Sequence, residues 1–253
     1  MLKSFINVSP FLILLLACGK PRAVQFNPAS GNTIDTPVVH EDNNPSAIDD
    51  TAGIKSYLAL GDSYTFGQSV PDNQKLPIQV ATQLNGLGVK AGIPEIIAKS
   101  GWTTGDLLNR LNAEPPARTN YNIVTLLIGV NNQYQGRSQE EYRQEFAELI
   151  TKAIQYADNK SERVFVLSIP DWSVTPFASN SNRDLISKQI DSFNVINKQI
   201  ALQKKVKYTD VTDLSRLAAR DASLIASDGL HPSGDQSRAW ASRLVPTIRV
   251  IFY

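Results

Sequence analysis

The chain has 253 residues, of which 42% are hydrophobic and 19% are charged, a composition that suits one globular domain with additional sequence at one end. Its formal net charge of +1 provides no field that attracts a polyanion, so we expect no nucleic-acid partner. A single cysteine, Cys18, excludes an intramolecular disulfide and a cysteine metal cluster. Any mechanism based on histidine must use His40 or His231, the two histidines of the chain.

Residues 1–18 have the pattern of a bacterial lipoprotein signal peptide. A basic residue precedes an apolar run, 11–17, that is too short to span a bilayer and resembles a signal peptide's hydrophobic region. The run ends in a sequence similar to a lipobox, in which Cys18 becomes the lipidated first residue. A plain secretory signal with a chance cysteine is the alternative. We expect lipidation of Cys18 and a location in the bacterial cell envelope, at the outer membrane or facing the periplasm.

Residues 19–53 are rich in Asn, Pro, Asp, Thr and Ser, and their apolar residues follow no period. Such a composition does not bury enough surface to offset the entropy lost on ordering, which predicts a flexible tether. His40 falls inside this tether, where a surface histidine without a chemical role is expected. The globular domain is therefore expected to comprise residues 54–253.

Short β-type runs alternate with amphipathic helical stretches from residue 54 onward. Strands are predicted over residues 57–60, 95–98, 123–128, 163–169 and 206–211. Helices are predicted over residues 73–87, 104–111, 138–157, 184–203 and 233–248, the last one broken near Pro246. This alternation, with strands apolar on both faces, predicts a three-layer α/β/α sandwich around a central parallel five-stranded sheet. Sites in such sheets lie outside the carboxyl ends of strands, where Ser63, Gly101 and Asn131 fall.

Two short segments carry candidate catalytic groups. Ser63 follows the first strand at the start of a helix, where helix N–H groups lie beside the charge that develops on a nucleophile. Many serines in this position only cap the next helix. Asp228 precedes His231 by three residues in a tight Asp-Gly-Leu-His-Pro sequence, so the carboxylate can accept the imidazole N–H and leave the other nitrogen facing outward. The alternative is an ordinary turn before a helix.

Two further loops after strands could bind a developing negative charge. Gly101 presents a backbone N–H with no side chain in the way, and the Asn131 amide could point at an oxyanion. A glycine at a helix entry and a turn asparagine are the alternative interpretations.

These four blocks, in this order, resemble the SGNH hydrolases, also called the GDSL esterases and lipases. The resemblance covers the chain after the tether and is carried by Gly61-Asp62-Ser63, Gly101, Gly129-Val130-Asn131 and Asp228-Gly229-Leu230-His231. It implies an SGNH, flavodoxin-like fold. Two positions depart from the family pattern, Tyr64 where many members have Leu and Asn132 where Asp is usual. The elbow of the α/β-hydrolases is absent, because Thr65 stands where that motif needs a second glycine.

The resemblance implies a serine esterase that works through an acyl-enzyme. Ser63 would be the nucleophile, His231 the general base and Asp228 its orienting acid, while the oxyanion hole would comprise the backbone N–H groups of Ser63 and Gly101 and the Asn131 amide. No metal and no organic cofactor are needed. We expect a monomer acting on a small-molecule or polysaccharide ester with short acyl chains. Alternatives are a carbohydrate O-deacetylase, a lysophospholipase or lipase of the same family, and a non-catalytic surface-binding lipoprotein.

Other polar and aromatic residues lie near these loops. We expect Asp62 to organise hydrogen bonds of its own loop rather than to act as a second acid. Trp102, Tyr134, Arg137 and Trp172 follow strands at the predicted rim of the site, where they could contact the substrate. For Trp172, local packing is the alternative.

Overall fold

Five parallel strands form the centre of the domain in the computed structural model, which describes residues 53–253. The strands are β1 (Tyr57–Gly61), β2 (Glu95–Ala98), β3 (Ile123–Leu127), β4 (Val164–Leu167) and β5 (Lys207–Thr209). Their order in the sheet is β2-β1-β3-β4-β5, and every neighbouring pair is parallel. This is the flavodoxin-like order, in which a ligand-binding crevice forms at the carboxyl ends of β1 and β3. The predicted parallel α/β fold is confirmed.

The helices pack in two groups, α2 against α8, and α5 against both α3 and α6. Their bounds are α1 (Ser63–Phe66), α2 (Leu76–Gly86), α3 (Thr104–Ala113), α4 (Val130–Tyr134), α5 (Gln139–Tyr156), α6 (Arg183–Gln203), α7 (Thr212–Arg216) and α8 (Gly234–Arg249). Every residue of β1, β3 and β4 is buried, because helices cover both faces of the sheet.

Side-chain caps begin α3 and α5 at or beside the predicted first residues. Thr103 accepts a hydrogen bond from the Asp106 backbone N–H, and the Asp106 carboxylate accepts one from the Thr103 N–H, which completes a capping box for α3. Ser138 caps α5 in the same position, with its hydroxyl accepting from the backbone N–H of Glu141 at 3.1 Å.

Two predicted helices differ from the structure. The helix predicted from residue 73 begins at Leu76, after a separate 3-10 turn, and Pro77 occupies its first turn, where a missing N–H costs nothing. The predicted break near Pro246 is wrong, since α8 continues through it to Arg249. Val245 and Ile248 on either side of the proline are buried in the core, so packing holds this last turn helical despite the lost hydrogen bond.

The predicted signal peptide with Cys18 and the predicted tether with His40 lie outside the residues that the structure describes. Within residues 53–253, none of the helices combines the length and the apolar character that crossing a membrane requires.

Candidate active site

Ser63 lies just after the carboxyl end of β1 and is the first residue of α1. It is 6% exposed. Gly61 makes the close turn possible, because a Cβ atom there would overlap the Leu127 carbonyl oxygen and the Thr65 side chain. Asp62 caps α1 by accepting a hydrogen bond from the Tyr64 N–H at 3.0 Å, which agrees with the loop-organising role predicted for it. The local sequence therefore places the serine at a helix N-terminus.

The Asp62 carboxyl group is fully buried, and its Oδ2 atom has no hydrogen-bond partner among residues 53–253. Burial raises the pKa of Asp62 to about 7, against the smaller opposing effect of the hydrogen bond from Tyr64. The protein thus holds a proton on this group over much of the acidic range.

The loop before α8 holds Asp228 and His231 in a closed arrangement. Asp228 Oδ1 accepts the backbone N–H groups of Leu230 and His231, each at 2.9 Å, and Oδ2 lies 2.7 Å from His231 Nδ1. Gly229 has φ +74, the left-handed conformation that this tight turn requires. With an ionised carboxylate, Nδ1 is the protonated nitrogen and Nε2 remains a free base.

Asp228 is held as a carboxylate by donors from two parts of the chain. Partial burial acts to raise its pKa, but the hydrogen bond from Ser69 Oγ, the backbone N–H groups of His231 and Leu230, and the His231 ring outweigh it. The pKa of Asp228 therefore lies well below its usual range. An ionised acid at neutral pH is what the His231 tautomer needs.

Ser63, Asn131 and His231 line one cavity of about 140 Å³. Within residues 53–253, no hydrogen bond joins the Ser63 hydroxyl to His231; such bonds commonly tighten only when substrate binds. The other lining residues are apolar or aromatic: Tyr64, Val130, Tyr134, Trp172, Phe177 and Leu230. The structure thus brings a hydroxyl, an imidazole and an amide together in largely apolar surroundings.

Asn131 and Gly101 hold different places in this site. The Asn131 amide donates one hydrogen to the Trp102 carbonyl oxygen at 2.9 Å, so its second hydrogen is available to a ligand. Gly101 has φ +86 and lies in an exposed loop, outside the set of described residues that line the cavity. The bond between Trp102 and Asn131 connects the Gly101 loop to the cavity.

Asn132, where the family pattern has Asp, is fully buried. Its Oδ1 accepts the Thr104 backbone N–H at 3.0 Å, and its Nδ2 donates to Thr104 Oγ1 at 2.6 Å. The Thr104 hydroxyl in turn donates to Glu145. This residue therefore joins α4 to the start of α3 and does not line the cavity.

Three aromatic rings form one wall of the cavity. Tyr134, Trp172 and Phe177 have ring centroids 5.5 to 6.2 Å apart, and Tyr134 and Phe177 remain 57% and 49% exposed. The sequence suggests Tyr134 and Trp172 as residues at the rim of the site. Phe177 was missed, because nothing in a loop between β4 and α6 indicates which way an aromatic side chain points.

The other two suggested rim residues have different surroundings. Arg137 forms an exposed ion pair with Glu141 at 3.2 Å, and Trp102 packs half-buried against the core. Neither lines the cavity. No group of three or more His, Cys, Asp or Glu side chains in residues 53–253 is arranged to hold a metal ion.

The model of the GDSL-like Lipase/Acylhydrolase family matches residues 59–239, a span that includes every one of these loops. The chain belongs to this family. The resemblance inferred from the four sequence blocks is thereby confirmed, and membership of the GDSL-like family identifies the chain as a hydrolase of the esterase and lipase class. Among curated proteins, no sequence matches the chain.

Solved structures with the same fold include a lipase, a lipase/acylhydrolase and an acetylxylan esterase. The lipase Lip_vut3 from a goat rumen metagenome is 21% identical, with a TM-score of 0.62 over 76% of this chain and 97% of that chain. A lipase/acylhydrolase from Enterococcus faecalis is 18% identical, with a TM-score of 0.61 over 78% and 96%. Axe2, an acetylxylan esterase from Geobacillus stearothermophilus, is 17% identical, with a TM-score of 0.59 over 77% and 94%. At these identities the likeness establishes the fold.

Proposed function

We propose that the protein is a serine esterase that hydrolyses carboxylic esters of short acyl chains through an acyl-enzyme on Ser63. The observation that carries the proposal is the 2.7 Å contact between Asp228 and His231 at a cavity that Ser63 also lines. Neither a turn nor a helix cap needs a carboxylate on an imidazole beside a serine hydroxyl.

The proposed reaction has two steps. In the first, His231 Nε2 takes the proton of the Ser63 hydroxyl as its oxygen attacks the ester carbonyl, and the leaving alcohol receives that proton when the carbon–oxygen bond breaks. In the second, water loses a proton to the same imidazole as it attacks the acyl-enzyme, and the proton returns to Ser63 as the acid leaves. Asp228 holds the ring in one tautomer and stabilises its charged form.

The negative charge on the tetrahedral intermediate would be met by three N–H donors. The Ser63 backbone N–H lies at the start of α1, where helix N–H groups have no partner within the helix. Asn131 lines the cavity, and its amide has a second hydrogen beside the one donated to Trp102. The Gly101 N–H would complete the set when its loop approaches the bound substrate.

The shape of the cavity supports a short acyl group. Its volume of about 140 Å³ is well below the roughly 300 Å³ at which pockets for drug-sized ligands begin, and its lining is largely apolar. A small apolar group is favoured there over a long chain or a charged one.

Hydrolysis of p-nitrophenyl esters from acetyl to decanoyl tests the proposal. We expect turnover to be highest for the shortest chains and to vanish in Ser63→Ala. Ser192→Ala serves as the matched control, since Ser192 Oγ donates to the Lys188 carbonyl within α6, away from the cavity. Labelling by a fluorophosphonate probe should also disappear in Ser63→Ala alone. A Ser63→Ala protein with parental activity would refute the proposal, and a labelled protein with no esterase activity would refute the substrate class.

A carbohydrate O-deacetylase is the second candidate. Tyr134 and Phe177 present exposed aromatic faces beside the cavity, where a sugar ring could stack while its acetyl group enters. Two of the structures with this fold are described as acetylxylan esterases. Acetate release from acetylated xylan, compared with p-nitrophenyl acetate and with a lysophospholipid, separates this candidate from a simple esterase and from a lysophospholipase.

We also propose that Cys18 carries a lipid anchor that holds the enzyme at the cell envelope as a monomer. The Leu15-Leu16-Ala17-Cys18 sequence supports the anchor. Metabolic labelling with an alkyne fatty acid should mark the parent and not Cys18→Ser. Retention of the label in Cys18→Ser would refute the anchor, and a dimer mass by light scattering would refute the monomer.

A further inference from the structure

The loop that follows α1 turns back and contacts α1 at Ser63. The backbone N–H groups of Gly67 and Gln68 both donate to the Ser63 carbonyl oxygen, at 2.9 and 3.1 Å. Ser69 then has φ +63, a left-handed conformation that residues with a Cβ atom rarely adopt. Strain of this kind persists where the surroundings hold the residue in place, and it is concentrated at functional sites.

The Ser69 hydroxyl donates to Asp228 Oδ2 at 2.6 Å. The same oxygen atom accepts the His231 Nδ1–H at 2.7 Å. Ser69 is 159 residues from Asp228 in the chain, so this bond joins the segment of the proposed nucleophile directly to the loop of the proposed acid and base.

The neighbouring residue makes a matching contact on the other side. Gln68 Oε1 accepts a hydrogen bond from Ser100 Oγ at 2.6 Å. Ser100 directly precedes Gly101, the residue whose backbone N–H is a proposed oxyanion donor. Two adjacent side chains thus reach two separate loops of the site.

We propose that Gln68 and Ser69 are positioning residues, with Ser69 fixing the Asp228 carboxylate against His231 and Gln68 fixing the Ser100–Gly101 loop. The inference rests on the proposed esterase function. Neither side chain lines the cavity, so each would act through the residue that it holds.

The Ser69 contact has a consequence for the pH dependence of the reaction. Asp228 Oδ2 divides its negative charge between two donors, and loss of the Ser69 hydroxyl leaves more of it to the imidazole N–H. A stronger carboxylate partner favours the charged imidazole, which is inactive as a base. The acidic limb of the kcat/KM profile should therefore move to higher pH.

Loss of the Ser69 hydroxyl should not change the ionisation of the other groups that face His231. Tyr64 on α1 packs edge-on against the imidazole ring, with centroids 5.9 Å apart. The carboxylates of Asp62, Asp171 and Asp228 all act to raise the pKa of Tyr64, after the larger effect of its burial, so Tyr64 stays neutral in the working range.

Two variants separate the hydroxyl from the backbone strain at Ser69. Ser69→Ala removes the donor and keeps a Cβ atom, whereas Ser69→Gly removes the donor and relieves the left-handed strain. We expect both to lose about tenfold in kcat on p-nitrophenyl acetate, with KM unchanged, and to shift the acidic limb upward. Ser223→Ala is the matched control, because Ser223 Oγ also donates to an aspartate, Asp221, at 2.6 Å, outside the cavity lining.

If the acidic limb of the kcat/KM profile stays at the parental pH in both Ser69 variants, the proposed role of the hydroxyl is wrong. Parental activity in Ser69→Gly with a loss in Ser69→Ala would also overturn it, since backbone strain alone would then explain the effect.

The contact of Gln68 has its own test. Gln68→Ala and Ser100→Ala remove the same bond from opposite sides, and each should lower kcat about threefold without moving the acidic limb. The double variant should lose no more than either single one, since the two residues act through one contact. Fully additive losses, or parental kcat in both single variants, would overturn this part.

A measurement without substrate distinguishes failure of this inference from failure of the esterase proposal. In a His40→Gln background, His231 is the single histidine of the chain, so its ring resonances can be followed by NMR. Ser69→Ala should move the Nδ1 proton signal, and Ser223→Ala should leave it in place. Unchanged signals in Ser69→Ala overturn the inference, whereas a parent that hydrolyses no ester refutes the esterase alone.

Discussion

Asp228 Oδ2 lies 2.7 Å from His231 Nδ1, while Oδ1 of the same carboxylate accepts the His231 backbone N–H at 2.9 Å. One side chain thus holds both the main chain and the ring of the histidine. The imidazole has little freedom to rotate, and its remaining nitrogen is directed away from the carboxylate. One short loop carries both the carboxylate and the imidazole, and the Ser69 hydroxyl of a second loop also donates to the carboxylate.

Replacing Asp228 should move the His231 ring proton from Nδ1 to Nε2. Asp228→Asn keeps the size and places an amide against Nδ1, so Nε2 would carry the proton and could no longer act as a base. We expect kcat for p-nitrophenyl acetate to fall about a thousandfold or more at pH 7, with a normal circular dichroism spectrum. A loss of less than tenfold would show that the base does not depend on this carboxylate.

Removal of one proposed oxyanion donor gives a second test. Asn131→Ala should lower kcat about a hundredfold or more, because one such donor contributes roughly 3 kcal/mol to the transition state, and KM should change little. The variant also loses the bond to the Trp102 carbonyl. Asn131→Asp provides the comparison, since it keeps the size but presents an acceptor to the oxyanion. It should be at least as inactive, and a more active Asp variant would contradict the assigned role.

The buried Asp62 should make stability depend on pH. Its pKa is about 7 in the folded state against an ordinary value of 3.8, so the folded protein binds the proton more tightly than the unfolded chain. The free energy of unfolding should therefore fall as pH rises from about 4 to about 7, and this contribution should stay level above that range.

Asp62→Asn removes the titrating group and keeps an oxygen to accept the Tyr64 N–H. Relative to the parent it should gain about 2–4 kcal/mol at pH 8 and almost nothing at pH 4, measured by urea denaturation. If the free energies of unfolding of variant and parent differ by the same amount at both pH values, the raised pKa of Asp62 is contradicted.

Replacement of Asn132 by aspartate, the residue usual at this position in the family, should destabilise the protein. The Thr104 hydroxyl has one hydrogen, which goes to Glu145, so it can only accept from residue 132. Asn132→Asp leaves two buried acceptors facing each other and should cost about 1–3 kcal/mol at pH 7. The cost should shrink at low pH, where the new carboxyl can donate. Asn180→Asp, at an exposed position, is the control and should be neutral.

Much of the fold follows from the spacing of apolar residues and from the turn and capping residues that bound each element. The runs at 95–98 and 123–128 are apolar and bounded by turn residues, and both became strands within one residue of their predicted ends. Ser138 begins α5 because its hydroxyl satisfies a helix N–H. At Pro246 the local sequence predicts a helix break, whereas burial of the surrounding apolar residues keeps the chain helical.

Ser63, Asn131, Asp228 and His231 could be named as candidates from the sequence, because the chemistry that each could perform is visible in its residue type and each stands beside a strand or in a short turn. Ser69 and Phe177 could not be chosen. A serine in a loop looks like any other until a carboxylate 159 residues away is placed 2.6 Å from it.

The sequence by itself determined the order of strands and helices, the four loops that carry the candidate groups and the local pairing of Asp228 with His231. All of these depend on interactions between near neighbours in the chain. The tertiary structure decided which loops share one cavity and that the loop of Gln68 and Ser69 reaches two distant segments. It also buries Asp62 with no hydrogen-bond partner for one carboxyl oxygen in the described part of the chain. Such long-range contacts arise only when the parallel sheet brings the carboxyl ends of its strands together.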